Sequence, residues 1–341
     1  MAVLQLGRGY DRFEAEVAAY AFIRALDALV SDDEKAVALG TTWNPAAALE
    51  ANQDQAVAEL IRYTAYPSFS ERRAMVETAA TLHGRDIVDE VRRKTSGDFQ
   101  KGLLALVESP AIRDAEWIHK SVSGLLNRKG TAREILCTRT TYQLRAIADA
   151  YYLKHGKDMV SDVLGAFSGK ERKLYERLLT FDRVESHHAD RDQARILAQA
   201  LYEAGPARWG ADEGTFIDIL TTESADTIRA VFREYEALYG TSLFTVMDDQ
   251  FSGNFEKDLL MLSKFLLEPA KAFADIIHKA LTGLRTDGGD LVRAIIARKD
   301  MDLWQIKEAY ELHHGSLMRK VESATSGDFR SLLMAVIASV A

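Results

Sequence analysis

The chain has 341 residues, 47% of them hydrophobic, and its 43 Lys and Arg are outnumbered by 51 Asp and Glu, a net charge of −8. That acidity, with no basic cluster interleaved with aromatics, argues against nucleic-acid binding and leaves an anionic lipid surface reachable only through a local basic face or a bridging cation. The lone cysteine excludes an internal disulfide, while only 5 prolines and abundant Ala, Leu, Glu and Arg fit an all-helical chain.

The N-terminal MAVLQLGRGYDRFE has no apolar stretch long enough for a secretory signal or a membrane span, so a cytoplasmic protein is expected. Phe13, Val17, Tyr20, Ile23, Leu26 and Leu29 recur at helical spacing and predict an amphipathic helix over 12–30. Ser31-Asp32-Asp33-Glu34 offers caps for a second short helix, and Asn44-Pro45 reads as an N-cap with proline at the first helical position.

From there the chain repeats. Ser96-Gly97-Asp98-Phe99 returns as Ser168-Gly169-Lys170, Ser252-Gly253-Asn254-Phe255 and Ser326-Gly327-Asp328-Phe329, so the glycines at 97, 169, 253 and 327 mark periods of 72, 84 and 74 residues. Each copy opens an apolar helical pattern, such as Phe99, Leu103, Leu104 and Val107, and its serine is expected to cap that helix. Ahead of each copy stand a longer helix (Glu71–Leu82, Tyr142–Lys154, Ala225–Leu238, Leu303–Leu312), a glycine turn and a shorter helix. The front of each later unit is a helix pair: Asp114–Ser123 with Thr131–Thr138, Arg191–Glu203 with Asp212–Leu220, and Ala270–Thr282 with Asp287–Ala297. Five helices per repeat follow. The expected division is 1–43 as an extension or the start of the first repeat, then repeats over 44–109, 110–181, 190–268 and 269–341, with a polar linker at 182–189.

The third front loop is the most specific stretch: Gln199-Ala200-Leu201-Tyr202-Glu203-Ala204-Gly205, then Ala207-Arg208-Trp209-Gly210-Ala211-Asp212-Glu213. Together with Leu281-Thr282-Gly283-Leu284-Arg285-Thr286-Asp287 and Gly124-Leu125-Leu126-Asn127 at matching places, it resembles the annexin family over 44–341. The resemblance implies an all-α curved disk of four repeats of five helices each. It implies docking on anionic phospholipid membranes through Ca²⁺ bound by convex-face loops; the sequence itself shows no glycine-rich phosphate loop, nucleophile elbow or paired catalytic carboxylates, so no enzyme activity is expected. The chemistry is sound on its own terms, because Ca²⁺ takes backbone carbonyls of a tight glycine loop and usually one bidentate carboxylate.

In the family pattern that acid stands three residues before the glycine of the Ser-Gly turn, and here those places hold Lys94, Ala166, Gln250 and Ala324. Loop glycines are missing as well: Asn52-Gln53-Asp54 stands in the first repeat, Leu126 in the second and Arg285 in the fourth. The third repeat keeps Gly205, Arg208 and Gly210 as matches to the carbonyl donors, with the neutral amide of Gln250 beside Asp248 and Asp249. The implied metal site is therefore weak and centred there, with Asp249, Asp212, Glu213, Gly283 and Arg285 as lesser candidates. Loop acids such as Asp212, Asp287 and Asp290 also lie at helix starts, where capping is the plainer reading.

Trp209, in a glycine-flanked loop, is expected either to enter the lipid interface or to fold back beneath the loop, and Arg208 and Arg285 to meet lipid phosphate. Asp114, Glu134, Arg139 and Arg293 match polar positions of the family's central channel, where paired buried charges are expected to be structural. Cys137 reads as a packed small hydrophobe, and the pairs His187-His188 and His313-His314 as solvated loop histidines. The missing acids keep open a calcium-independent scaffold binding cytoskeletal or other proteins, as in divergent protist, alpha-giardin-like members.

Overall fold

The structure, a computed structural model, describes residues 12–29, 46–123, 129–184, 186–284 and 286–340, the side chains of 12 and 46–52 apart. Asn44-Pro45, the acids at 32–34 and the loop residues 124–127 and Arg285 lie outside the described residues. Asn52-Gln53-Asp54, expected where the first-repeat loop should be, lies instead inside the helix Ala46–Ala65, where the backbone is taken up by helical turns. Among the described residues there are twenty α-helices and no strand. They fall into four groups of five: α1 (Arg12–Ala28), α2 (Ala46–Ala65), α3 (Phe69–His83), α4 (Ile87–Lys94) and α5 (Gly97–Val107). Next come α6 (Pro110–Ser123), α7 (Gly130–Thr138), α8 (Thr141–His155), α9 (Met159–Ala166) and α10 (Gly169–Leu178). The third group is α11 (Arg191–Ala204), α12 (Glu213–Thr222), α13 (Ala225–Tyr239), α14 (Leu243–Gln250) and α15 (Gly253–Leu267). The fourth is α16 (Pro269–Thr282), α17 (Gly288–Ala294), α18 (Leu303–His314), α19 (Leu317–Ala324) and α20 (Gly327–Ala338).

Local chemistry explains the helix limits. α3 and α8 open with capping boxes, Ser68 with Glu71 and Thr140 with Gln143, and α3, α8 and α13 stop at left-handed glycines, Gly84, Gly156 and Gly240. The Ser-Gly turns work differently from the sequence expectation. Ser96, Ser168, Ser252 and Ser326 sit in extended backbone and make no capping bond with their side chains. The reason is the next residue: Gly97, Gly169, Gly253 and Gly327 take φ of +63°, +57°, +76° and +60°, so the chain swings through a left-handed step that only glycine enters without strain. The tie is made instead from three places further on. Gln100 donates to Arg92 O (2.9 Å), Arg172 to Leu164 O (2.7 Å) and Arg330 to Thr325 O (2.6 Å).

The helix expected over Asp287–Ala297 ends early, at Ala294, and a 3-10 turn over Ile296–Arg298 follows. Arg298 pairs with Asp302, four residues further on, at 2.5 Å and lies over the Phe273 ring, contacts that favour the break.

The chain forms two compact units, Met1–Pro110 with Phe273–Ala341, and Ala111–Ala272. In the first unit α1 packs on α2 and α3, and α5 packs on α17 and α20 so closely that a Cβ on Gly102 would lie 2.6 Å from Leu332. In the second, α7 packs on α15 and α10 on α12, and the segment after α10 is docked: Val184 N donates to Thr222 O (2.8 Å) and Arg183 to Leu220 O (2.7 Å).

Cys137 is buried against the Asp258 carbonyl, and burial pushes its thiol well up, which makes it unreactive. Asp258 itself is fully buried on α15, and burial raises its carboxyl to about 7 although Tyr175 and Arg133, 3.3 Å away, work in the opposite direction. A raised carboxyl pKa means the folded state holds the extra proton. Its stabilising contribution is complete below the ordinary 3.8 and is lost as pH rises through about 7. Asp258→Asn should thus gain on the wild type by about 1 kcal/mol per pH unit between pH 5 and 7. Urea unfolding across that range checks it; parallel pH profiles would show that this carboxyl does not titrate there.

A candidate cation and lipid loop in the third repeat

Asp190 caps α11 by accepting from Asp192 N and Gln193 N, and the helix ends abruptly at Gly205 (φ −117°, ψ −100°). Both Gly205 N (3.3 Å) and Ala207 N (3.1 Å) donate to Tyr202 O, Arg208 N donates to Gly205 O (3.2 Å), and Asp212 N closes the loop on Ala204 O at 2.7 Å. Glycine suits two of its positions, one through tight contacts and the other through its backbone angle. A Cβ at Gly205 would come within 3.3 Å of both Leu201 O and the Phe216 ring, and Gly210 has φ +80°. At the loop's base Tyr202 stacks on Tyr239, 4.0 Å between ring centres.

The loop acids are committed to the protein. Asp212 accepts from Gly214 N (3.0 Å) and Thr215 Oγ1 (3.3 Å) and stands 3.8 Å from the Arg208 guanidinium; it caps α12. Glu213 faces Lys170 at 3.7 Å and Lys173 at 3.6 Å. Gln250 is the last residue of α14 and half-buried, while Asp248 and Asp249 are exposed. Oxygen donors for a hard cation are therefore present in kind, as Gly205, Arg208 and Gly210 carbonyls and one neutral amide, but the carboxylate is not. Trp209 is fully exposed at 102%, and Arg208 is exposed beside it.

At the other three acid positions, Lys94 donates to Leu26 O at 2.9 Å, Ala166 ends α9, and the Ala324 carbonyl accepts from Thr286 Oγ1 at 3.0 Å. Gly283 N donates to Lys279 O at 3.1 Å, and its neighbour Leu284 is fully exposed. Leu284 was not singled out from sequence, though an aliphatic residue between a loop glycine and an arginine is a legible sign.

Among the polar-channel residues, Asp114 and Arg139 come together in the second unit. Burial opposes ionisation of Asp114, yet Arg139 (2.7 Å) and Arg113 (3.3 Å) hold its carboxyl below the ordinary range. Glu134 is buried on α7, and Arg293, in the first unit, pairs with Asp290. His187, His188 and His313 are exposed as expected, but His314 lies on α18, stacked on His278 at 3.9 Å and 3.3 Å from Asp275. The reason is helical register, which turns His314 toward α16 while its neighbour faces out. Among the described residues no group of three or more His, Cys, Asp or Glu is disposed to hold a metal. Since the Trp209 indole packs against nothing, Trp209→Ala should change unfolding free energy by less than ~0.5 kcal/mol. Urea denaturation measures this, and a loss above ~1.5 kcal/mol would mean that the indole supports the loop.

The Annexin family profile matches residues 113–178, 197–262 and 272–336. Human annexin A13 is 34% identical over 268 residues, 78% of this chain and 85% of that protein. Rat annexin A5 is 32% identical over 268 residues, 78% of this chain and 84% of that protein. The solved structure of annexin III superposes with a TM-score of 0.85 at 30% identity, covering 97% of this chain and 95% of that one. The chain belongs to the annexin family, whose members are generally calcium-dependent phospholipid-binding proteins without enzymatic activity.

Proposed function

We propose that this protein binds anionic phospholipid peripherally, on the cytoplasmic side of a membrane, through the third-repeat loop, with a calcium requirement weaker than is general in the family. The observation that carries the reading is Trp209, wholly exposed at the tip of a loop closed by glycines. A bare indole is costly in water and at home among lipid headgroups, where its ring is buried and its N–H stays wet. Beside it, the Arg208–Asp212 pair is loose and exposed at 3.8 Å, worth under ~1 kcal/mol, so a lipid phosphate competes for the guanidinium at small cost. In the fourth repeat the exposed Leu284 is followed in sequence by Arg285, a similar order of apolar residue and cation.

For the ion, the carbonyls of Gly205, Arg208 and Gly210 and the Gln250 amide are the protein's share, and lipid phosphate oxygens complete the shell. One neutral, monodentate oxygen in place of a bidentate carboxylate weakens the hold on a dication, so calcium binds well only with lipid present. Lys94, Ala166 and Ala324 at the other acid positions favour a second reading, a calcium-independent scaffold for cytoskeletal or other proteins.

Sedimentation with phosphatidylserine vesicles, with calcium or with chelator, separates the two. We expect more protein in the pellet with calcium, a several-fold loss on Trp209→Ala, and about tenfold less calcium needed after Gln250→Glu. No pelleting under either condition would end the membrane reading. Equal pelleting in both would keep the membrane and remove the ion. Co-sedimentation with actin or microtubules in place of vesicles would favour the scaffold.

A further inference from the structure

Lys94, at the acid's place in the first repeat, is the last residue of α4 and reaches into the last turn of α1. Its ammonium donates to the Leu26 carbonyl at 2.9 Å and pairs with Asp27 Oδ1 at 3.1 Å. Asp27 is shared with Arg85 (2.8 Å), which also pairs with the buried Glu90, and Arg85 and Lys94 together hold the Asp27 carboxyl below its ordinary range.

The ring pairs that join the first and third helices of each repeat fix the register of α1. Tyr202 meets Tyr239, His119 meets His155, His278 meets His314, and Tyr20 meets His83. Leu26 stands six places after Tyr20, as Arg208 stands six places after Tyr202. By count from the ring pair, the carbonyl that Lys94 bonds in the first repeat therefore stands at the place of a candidate cation-binding carbonyl of the third. Over the same stretch α1 stays helical to Ala28, where the third repeat has opened into its loop. As they stand, the first-repeat residues therefore do not fit Ca²⁺: a positive charge is fixed against the Leu26 oxygen and the Asp27 carboxylate.

We infer that Lys94 is the residue that closes the first repeat to calcium, its ammonium making internally the tie between the short helix and the first helix that a bridging cation would otherwise make. A tethered ammonium needs no ion concentration to act, and its charge repels a dication from the same oxygens. The inference is independent of how the third-repeat loop behaves.

The test compares the full-length wild type with Lys94→Ala and Lys94→Glu by thermal unfolding, with chelator or with calcium, and by calorimetric calcium titration. In chelator, Lys94→Ala should unfold about 2 °C lower, and calcium should not restore it. Lys94→Glu should unfold lower in chelator, recover with calcium, and bind one more calcium equivalent than the wild type. An unchanged midpoint for Lys94→Ala would show that no tie exists. An unchanged calcium stoichiometry for Lys94→Glu would show that this is not a cation's place. Failure of the third-repeat reading would appear separately, as no calcium bound by the wild type.

Discussion

The left-handed glycine is the constraint on which each repeat turns. At Gly97, Gly169, Gly253 and Gly327 the chain leaves a short helix and enters a long one through positive φ, a step costing any other residue about 1–2 kcal/mol. That step sets the direction of α5, α10, α15 and α20, and with them the buried rows such as Leu103, Leu106 and Val107, or Leu259, Leu262 and Leu266. It also sets which side chains return to the hinge. Gln100, Arg172 and Arg330 donate to backbone oxygens at the end of the preceding helix, whereas the matching residue in the third repeat, Glu256, has no N–H to give. The end of α14, which carries Gln250, is therefore built without the contact that ties its three counterparts.

Electrostatics explains why an acidic chain has so few acids to offer a cation. Asp212 is spent on the α12 amides, Glu213 on Lys170 and Lys173, and Asp290 on Arg293. A carboxylate that caps a helix is held by dipoles already aimed at it, and withdrawing it for a metal would leave the first-turn N–H groups bare. Backbone carbonyls and the Gln250 amide carry no such commitment through charge. That is the physical case for a cation that arrives with its own anionic partner, the lipid.

Periodicity made most of the helices legible, because an apolar stripe survives in any single sequence. Ala225–Tyr239 differs from expectation by one residue at its C-terminal end, and Thr141–His155 by one residue at each end. The residues misplaced are those whose roles depend on backbone angles or distant partners. The hinge serines look like caps by composition, but the glycine after each one turns the backbone away from capping geometry. His314 looks like half of a loop pair, and only the register of α18 against α16 shows that it stacks on His278. At the loop, sequence singled out Gly205, Arg208, Trp209, Gly210 and Gln250, but it left the orientation of Trp209 open and passed over Leu284. Exposure is a property of the folded neighbourhood, and no spacing rule contains it.

Lys94 shows the same limit most sharply. A lysine where the family pattern has an acid reads in sequence as a lost site, yet its ammonium bonds a carbonyl 68 residues away. A missing acid at Ala166 removes charge from its place, whereas a lysine reverses the charge and then uses it. The contact is partly buried, with 27% of the Lys94 side chain exposed, so water and salt screen it less than an open surface pair. Two repeats can thus lose the same carboxylate with opposite consequences: the second is left with a small apolar residue, while the first gains a permanent tie. Counting absent acids therefore understates what the first repeat has kept, which is the connection between its helices, and overstates what it has lost, which is only the ion's control of it.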